Sequence, residues 1–448
     1  MGVILKELDT KKLLSIALPV SVQSLIQSFL GMIDQMMIGQ LGENIVAAVS
    51  LGGRPGFILI YTLSGITAAA SIFASQYEGA GDKSRHAQVM RSTIFGCLIL
   101  TLPFFLASVF IPEILLKAFT TDTAVISAGT GYLKICSLSY IPLIFIMACS
   151  AILRSTGEAN LPMITGIVAV AVNTMLNAIL IFGMFGVPAL GAEGAAIATV
   201  ISYLIEAIIL IAYMQKKSHG GNVVQAFKAR CPKDFAWLFF VTALPAVGNE
   251  LLWALGDAGY TAIYGRLGTQ QLAAMALTFP VQGLTVGFFT GLSAAAGIII
   301  GNLQGAQKTK EAYTTAWDFF KLSVIGCFFM GVILVACTGL YVSFYNVSSE
   351  VAKLAKQLLI IFAFFLWVKV SNMVVLGGVI RSGGQTKYTL FLDVLGTWGI
   401  GIPLGIIAAF LLKLDIRLVY TIISIEEIVR LILGLARVKS KKWMKTLA

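Results

Sequence analysis

The chain has 448 residues, of which 58% are hydrophobic and 12% charged, and its formal net charge is +11. A soluble domain carries roughly 25% charged residues, and no soluble interior is large enough to hide this much apolar surface. The basic residues sit in short loops between apolar runs, which excludes the basic stripe with interleaved aromatics that marks a nucleic-acid binder.

In chain order, apolar runs long enough to cross a bilayer as helices are predicted at 13–38, 46–76, 92–116, 126–152, 160–184, 191–214, 235–265, 272–303, 315–343, 354–380, 388–412 and 416–436. A charged stub with Lys6, Lys11 and Lys12 precedes the first span, which is too long for a signal-peptide core and is expected to be retained. The fold class expected is therefore all-α and polytopic, because backbone in lipid must satisfy its own hydrogen bonds and no barrel-type alternation is present. Twelve spans put both termini on one side. The loops of the opposite side offer only Lys117, Arg266, Lys353, Lys356, Lys413 and Arg417, so both termini are expected in the cytoplasm. The six cysteines show no ligand spacing, and His86 and His219 are read as loop residues without metal partners, so neither a disulfide framework nor a metal centre is expected.

Internal repetition is the most informative feature. A gap-free shift of 226 residues pairs Ala17-Leu18-Pro19 with Ala243-Leu244-Pro245, and Gly39-x-Leu41-Gly42 with Gly265-x-Leu267-Gly268. It also pairs Gly65-x-x-Ala68-Ala69-Ala70 with Gly291-x-x-Ala294-Ala295-Ala296, while Arg154-Ser155-x-Gly157 matches Arg381-Ser382-x-Gly384 one residue out of register. The chain divides on this reading into an N-lobe (1–214), an interlobe linker (215–234) and a C-lobe (235–448) with a basic tail. Two six-helix lobes share one orientation, so their pseudo-twofold axis runs along the membrane normal with a substrate path between them. That architecture predicts a secondary transporter. No Ser/His pairing, phosphate loop or catalytic cluster points to an enzyme.

Together these motifs resemble the multidrug and toxic compound extrusion (MATE) family over about residues 10–437. The carriers are Leu18-Pro19, Asp34-x-x-x-x-Gly39-x-Leu41-Gly42, Asn173-x-x-x-Asn177 with Phe182-Gly183, Gly191-x-x-Gly194-Ala195-Ala196, Pro245 and the two Arg-Ser motifs. The resemblance implies export of amphipathic, often cationic small molecules in exchange for Na⁺ or H⁺, with no other cofactor. It also implies a multi-pass protein of a bacterial or archaeal plasma membrane, and we expect a monomer. A flippase for lipid-linked saccharide or peptidoglycan precursors is the alternative; Arg54 and Lys369 favour it, whereas twelve helices with Asp34, Glu250 and Asp257 oppose it.

Ionisable groups inside spans are costly and point to function. Asp34 lies where the family carries its coupling carboxylate; a carboxylate there can bind Na⁺ or a proton, or else pair with Arg54. Asn173 and Asn177 are one turn apart on one face, able to ligate Na⁺ or to hydrogen-bond a protonated Asp34. One prokaryotic branch has an acid at the second position. In the seventh span Glu250, Trp253 and Asp257 share a face suited to an organic cation; the sodium-coupled branch carries its glutamate where this chain has Trp253. Lys369 could pair with Glu250, Asp257 or Asp393. Pro19 and Pro245 permit bending at matched points, as hinges or static kinks. Arg154 and Arg381 are expected to anchor loops or lipid, and Glu206, Glu426, Glu427 and Arg430 to snorkel or pair locally.

Overall fold

The computed structural model describes residues 10–118, 120, 122–216, 222–345 and 347–446; Lys6, Lys217 and His219 lie outside these. The described residues form helices and no strands. In chain order the helices are α1 (Thr10–Gly39), α2 (Glu43–Gly52), α3 (Arg54–Ala80), α4 (His86–Phe110), α5 (Pro112–Lys117), α6 (Thr123–Ser137), α7 (Tyr140–Ser155), α8 (Asn160–Phe182) and α9 (Gly191–Lys216). A short α10 (Val223–Lys228) leads into α11 (Lys233–Leu267), α12 (Thr269–Gly305), α13 (Thr309–Ser343) and α14 (Ser349–Asn372), which continues as a π-helical stretch to Ile380. After α15 (Thr386–Asp393) come π-helical turns around α16 (Ile402–Ile406), and the chain ends on α17 (Ile416–Lys439).

Each predicted span corresponds to one helix or to one broken helix. The second is broken between Gly52 and Arg54, at the Arg54-Pro55 step, and the fourth is bent by 45° between α6 and α7. Among the described residues ten helices are long and apolar enough to cross a membrane, or eleven when α6 and α7 count as one span. The twelfth predicted span, α17, has 24 residues, and by length alone it reaches about 36 Å. It falls short on apolarity because Glu426, Glu427 and Arg430 lie within it, where Arg430 pairs with both acids.

Two compact units result, one of residues 22–247 and the other of residues 1–21 with 248–448. Packing thus divides the chain at Ser21/Val22 and Val247/Gly248, inside α1 and α11, and not at the loop between α9 and α11. The two division points are themselves 226 residues apart, and each follows a helix-internal proline, Pro19 or Pro245, by two residues. Both helices run through their prolines without a break.

Two repeat-related glycines show why the split falls there. In the 22–247 unit a β-carbon on Gly65 of α3 would overlap the Val247 backbone of α11. In the other unit a β-carbon on Gly291 of α12 would overlap the Ala17 carbonyl and Ser21 Oγ of α1. Close approach through small residues is how membrane helices associate when no hydrophobic gain separates protein from lipid. The Ser21 hydroxyl adds a bond by donating to the Phe288 carbonyl oxygen at 2.5 Å.

Candidate functional site

In the 22–247 unit, α1 and α8 bring Asp34, Asn173 and Asn177 together. Asn177 Nδ2 donates to Asp34 Oδ1 at 2.8 Å and to Asn173 Oδ1 at 3.1 Å. Thr199 of α9 completes the group, accepting from Asn173 Nδ2 at 3.5 Å. With the Asn173 amide turned over, its nitrogen instead faces Asp34 Oδ1 at 3.3 Å and its oxygen accepts from the Thr199 backbone N–H at 3.3 Å. Asn173 and Asn177 are 4% and 1% exposed, and Asn177 Oδ1 is buried without a hydrogen-bond partner. Tyr132 and Tyr203 stand close enough to interact with Asp34 electrostatically. One turn away along the same three helices, Ile38, Ile181 and Ala195 pack together.

Arg54, the expected alternative partner of Asp34, does not pair with it. Arg54 begins α3 at the break in the second span and is exposed. Among the described residues no basic side chain forms an ion pair with Asp34, so amides and not a cation hold this carboxylate.

Three turns along α1 from Asp34 lies Gln23, which accepts from Arg154 Nη2 at 2.8 Å and donates to the Pro162 carbonyl oxygen at 3.3 Å. Glu206 of α9, 6% exposed, acts electrostatically on the same guanidinium. In the other unit Arg381 does the equivalent work, its Nη1 and Nη2 both donating to Glu250 Oε1 at 3.2 Å. The expectation that Arg154 and Arg381 anchor loops or lipid is therefore corrected. Each turns inward and ties the fourth span of its repeat to the first, because a half-buried guanidinium needs an acceptor that lipid tails cannot supply.

The acids of the 1–21/248–448 unit are distributed differently from expectation. Arg430 of α17 pairs with Asp393 at 2.6 Å, with Glu427 at 2.9 Å and with Glu426 at 3.4 Å. Asn372 Nδ2 donates to the Glu427 carboxylate at 2.7 Å and to its carbonyl at 2.7 Å. Gly396 leaves the space that the Arg430 stem fills, and Gly401 leaves that for the Tyr260 hydroxyl and the Glu426 carboxyl. Lys369 forms no ion pair with Glu250 or Asp393, since Arg381 and Arg430 already engage them; it lies within electrostatic reach of Asp257, Glu426 and Glu427. Asp257 and Trp253 are exposed, Trp253 at 45%. Glu250, Trp253 and Asp257 thus share a helix face, but the charge of Glu250 is matched by Arg381.

Sequence reasoning did not single out Thr199 or Gln23. The signal for Gln23 was its position, eleven residues and hence a whole number of turns before Asp34. Among the described residues no group of three or more His, Cys, Asp or Glu could hold a metal ion. The oxygens of Asp34, Asn177, Asn173 and Thr199 are hard donors that fit a monovalent cation such as Na⁺, and the carboxylate alone fits a proton.

Known proteins agree with this architecture. The MatE family profile matches residues 19–179 and again 245–407, one match per repeat. An uncharacterized transporter, YisQ, of Bacillus subtilis is 24% identical over 97% of this chain and 95% of its own. A probable multidrug resistance protein, NorM, of Burkholderia pseudomallei is 28% identical over 90% of this chain and 86% of its own. A solved structure described as an outward-facing conformation of a multidrug resistance MATE family transporter superposes with a TM-score of 0.87 at 18% identity, covering 98% of each chain. A MOP superfamily transporter from Pyrococcus furiosus, described as having a binding pocket of reverse polarity, superposes with a TM-score of 0.86 at 19% identity over 98% of each chain. The doubled profile match, on a repeat with these motifs, shows that this multi-pass membrane protein belongs to the MatE family of multidrug efflux transporters.

Proposed function

We propose that the chain is a secondary antiporter that exports amphipathic, often cationic small molecules in exchange for Na⁺ or H⁺. The observation that carries this reading is Asp34 held by Asn177, with Asn173 and Thr199 alongside and no basic side chain paired to it among the described residues. A carboxylate in that setting carries a charge that its neighbours do not cancel, and one monovalent cation cancels it. Site neutralisation then provides the free-energy difference between states that alternating access needs. Pro19 and Pro245, each two residues before a division between packing units, are the proposed hinges. Trp253, Asp257 and Lys369 are the proposed substrate contacts, with Glu250 acting through its pair with Arg381. The protein would act as a monomer in a bacterial plasma membrane with both termini cytoplasmic. The names of its relatives favour drug export over movement of lipid-linked saccharide precursors.

The test is dye efflux from proteoliposomes under separately imposed Na⁺ and H⁺ gradients, for wild type and Asp34→Asn. One gradient should drive wild-type transport, and the substitution should remove that dependence while the protein stays folded. Transport indifferent to both gradients, or to the substitution, would overturn the proposal.

A further inference from the structure

The start of α11 and the short α10 before it enclose a feature that ion-coupled export does not use. A cleft of about 740 Å³ opens where α10, the turn after it and α4 meet, and four basic residues line it: Arg91, Lys228, Arg230 and Lys233. No acidic residue lines it; Asp234, next along the chain, is outside. Arg91 is positioned rather than loose. Its Nη1 donates to the Phe227 carbonyl oxygen at 2.9 Å, and its guanidinium sits 5.0 Å from the centre of the Phe95 ring. Phe95 and Phe227 meet edge to face at 6.3 Å, forming an aromatic wall beside the basic groups. Phe227 is 53% exposed, and Trp237, one turn into α11, is 73% exposed.

We infer that this cleft binds the phosphate headgroup of an anionic phospholipid. Three observations select a lipid. The cleft lies at the ends of two membrane-spanning helices, since α4 starts at His86 and α11 at Lys233, which is headgroup depth. Its four positive charges lack acidic competitors, and basic pockets at that depth recruit anionic headgroups. Phe227 of its lining is exposed beside the charges, where glycerol and acyl groups would cover it, and the exposed Trp237 lies one turn beyond Lys233 on α11, at a level of the bilayer where Trp is enriched. A soluble anion would use the bases but leave Phe227 uncovered. A lipid seated here would bridge α10 to α4 and tie the connecting segment to the membrane surface.

The experiment is native mass spectrometry of the full-length protein titrated with phosphatidylglycerol or phosphatidylethanolamine. Wild type is expected to retain phosphatidylglycerol preferentially. Arg91→Gln/Arg230→Gln/Lys233→Gln should weaken that retention roughly 100-fold, whereas Arg91→Lys/Arg230→Lys/Lys233→Arg should keep most of it. Should the glutamine variant fail to fold, loss of the preference in wild type with rising salt, together with its survival in the charge-preserving variant, carries the same conclusion. Equal retention of the two lipids, or unchanged retention in the glutamine variant, would overturn the inference. So would displacement of phosphatidylglycerol by millimolar inorganic phosphate, which would make the cleft a site for a soluble anion.

Discussion

Asp34 in one repeat-related unit and the acids around Arg430 in the other are held in opposite ways. In residues 22–247 Asp34 is met by Asn177 and its neighbours, all neutral. In the other unit a single guanidinium, Arg430, gathers Asp393, Glu426 and Glu427, and Arg381 takes Glu250. A buried carboxylate clamped by arginine has had its charge compensated during folding and has little to gain from a passing cation. One held by amides still has its charge to be compensated, so a cation can act on it. On the proposed function ion response belongs to the Asp34 unit, while the Arg430 cluster holds its own acids by ion pairing, although both rest on one repeated scaffold.

The sharpest way to break that contrast is Arg430→Met. It should leave three acids without their cation and cost about 3–5 kcal/mol, the range for removing one partner of a buried pair. Thermal unfolding in detergent checks this, and a melt like wild type would show that the cluster is not clamped. The glycine contacts come next. Gly65→Ala and Gly291→Ala should each cost about 1–3 kcal/mol through overpacking, and similar costs at the two sites would show that the units use the repeat alike. Asn177→Leu removes a hydrogen bond to a charged group, an effect of about 1.5–3 kcal/mol. It should lower the melt accordingly and, in ion-titrated transport, shift the half-saturating ion concentration roughly 10–100-fold; a stability loss with unchanged ion dependence would move Asn177 to a packing role.

The smallest effect is expected at Asp415, which caps α17 by accepting from the Arg417 backbone N–H at 2.8 Å. The side-chain hydrogen bond from Arg417 holds the Asp415 carboxyl below its ordinary value of 3.8. Its contribution is therefore complete above that value and is lost as pH falls through the lower, folded-state value. Asp415→Ala should cost about 0.5–2 kcal/mol near neutral pH, and the difference from wild type should vanish in acid melts.

Much of the fold was legible because hydropathy and repetition are properties of the chain alone. Twelve apolar runs, matched prolines and matched glycines predicted the helices and their doubling, and the doubled profile match follows the same pairing. The Asp34 cluster was partly legible, since Asn173 and Asn177 at a one-turn spacing must share a face. Thr199 was not, because which residue of α9 faces α8 depends on how those helices are rotated. The partners of the arginines were also hidden. Arg154 and Arg381 sit beside loop motifs, and only packing reveals that they turn back to Gln23 and Glu250.

The sequence by itself determined that this protein is helical, doubled and built for lipid, because a bilayer accepts few solutions to the backbone hydrogen-bond problem. It also placed the ionisable residues along each helix. Tertiary structure decided which charges cancel and which stay available. It sent the first part of α1 to one unit and the remainder to the other, and gave α11 the reverse division. The reason is physical: spacing along one helix is set by a fixed rise and turn, whereas pairing between helices depends on rotations and close approaches that many distant residues set together.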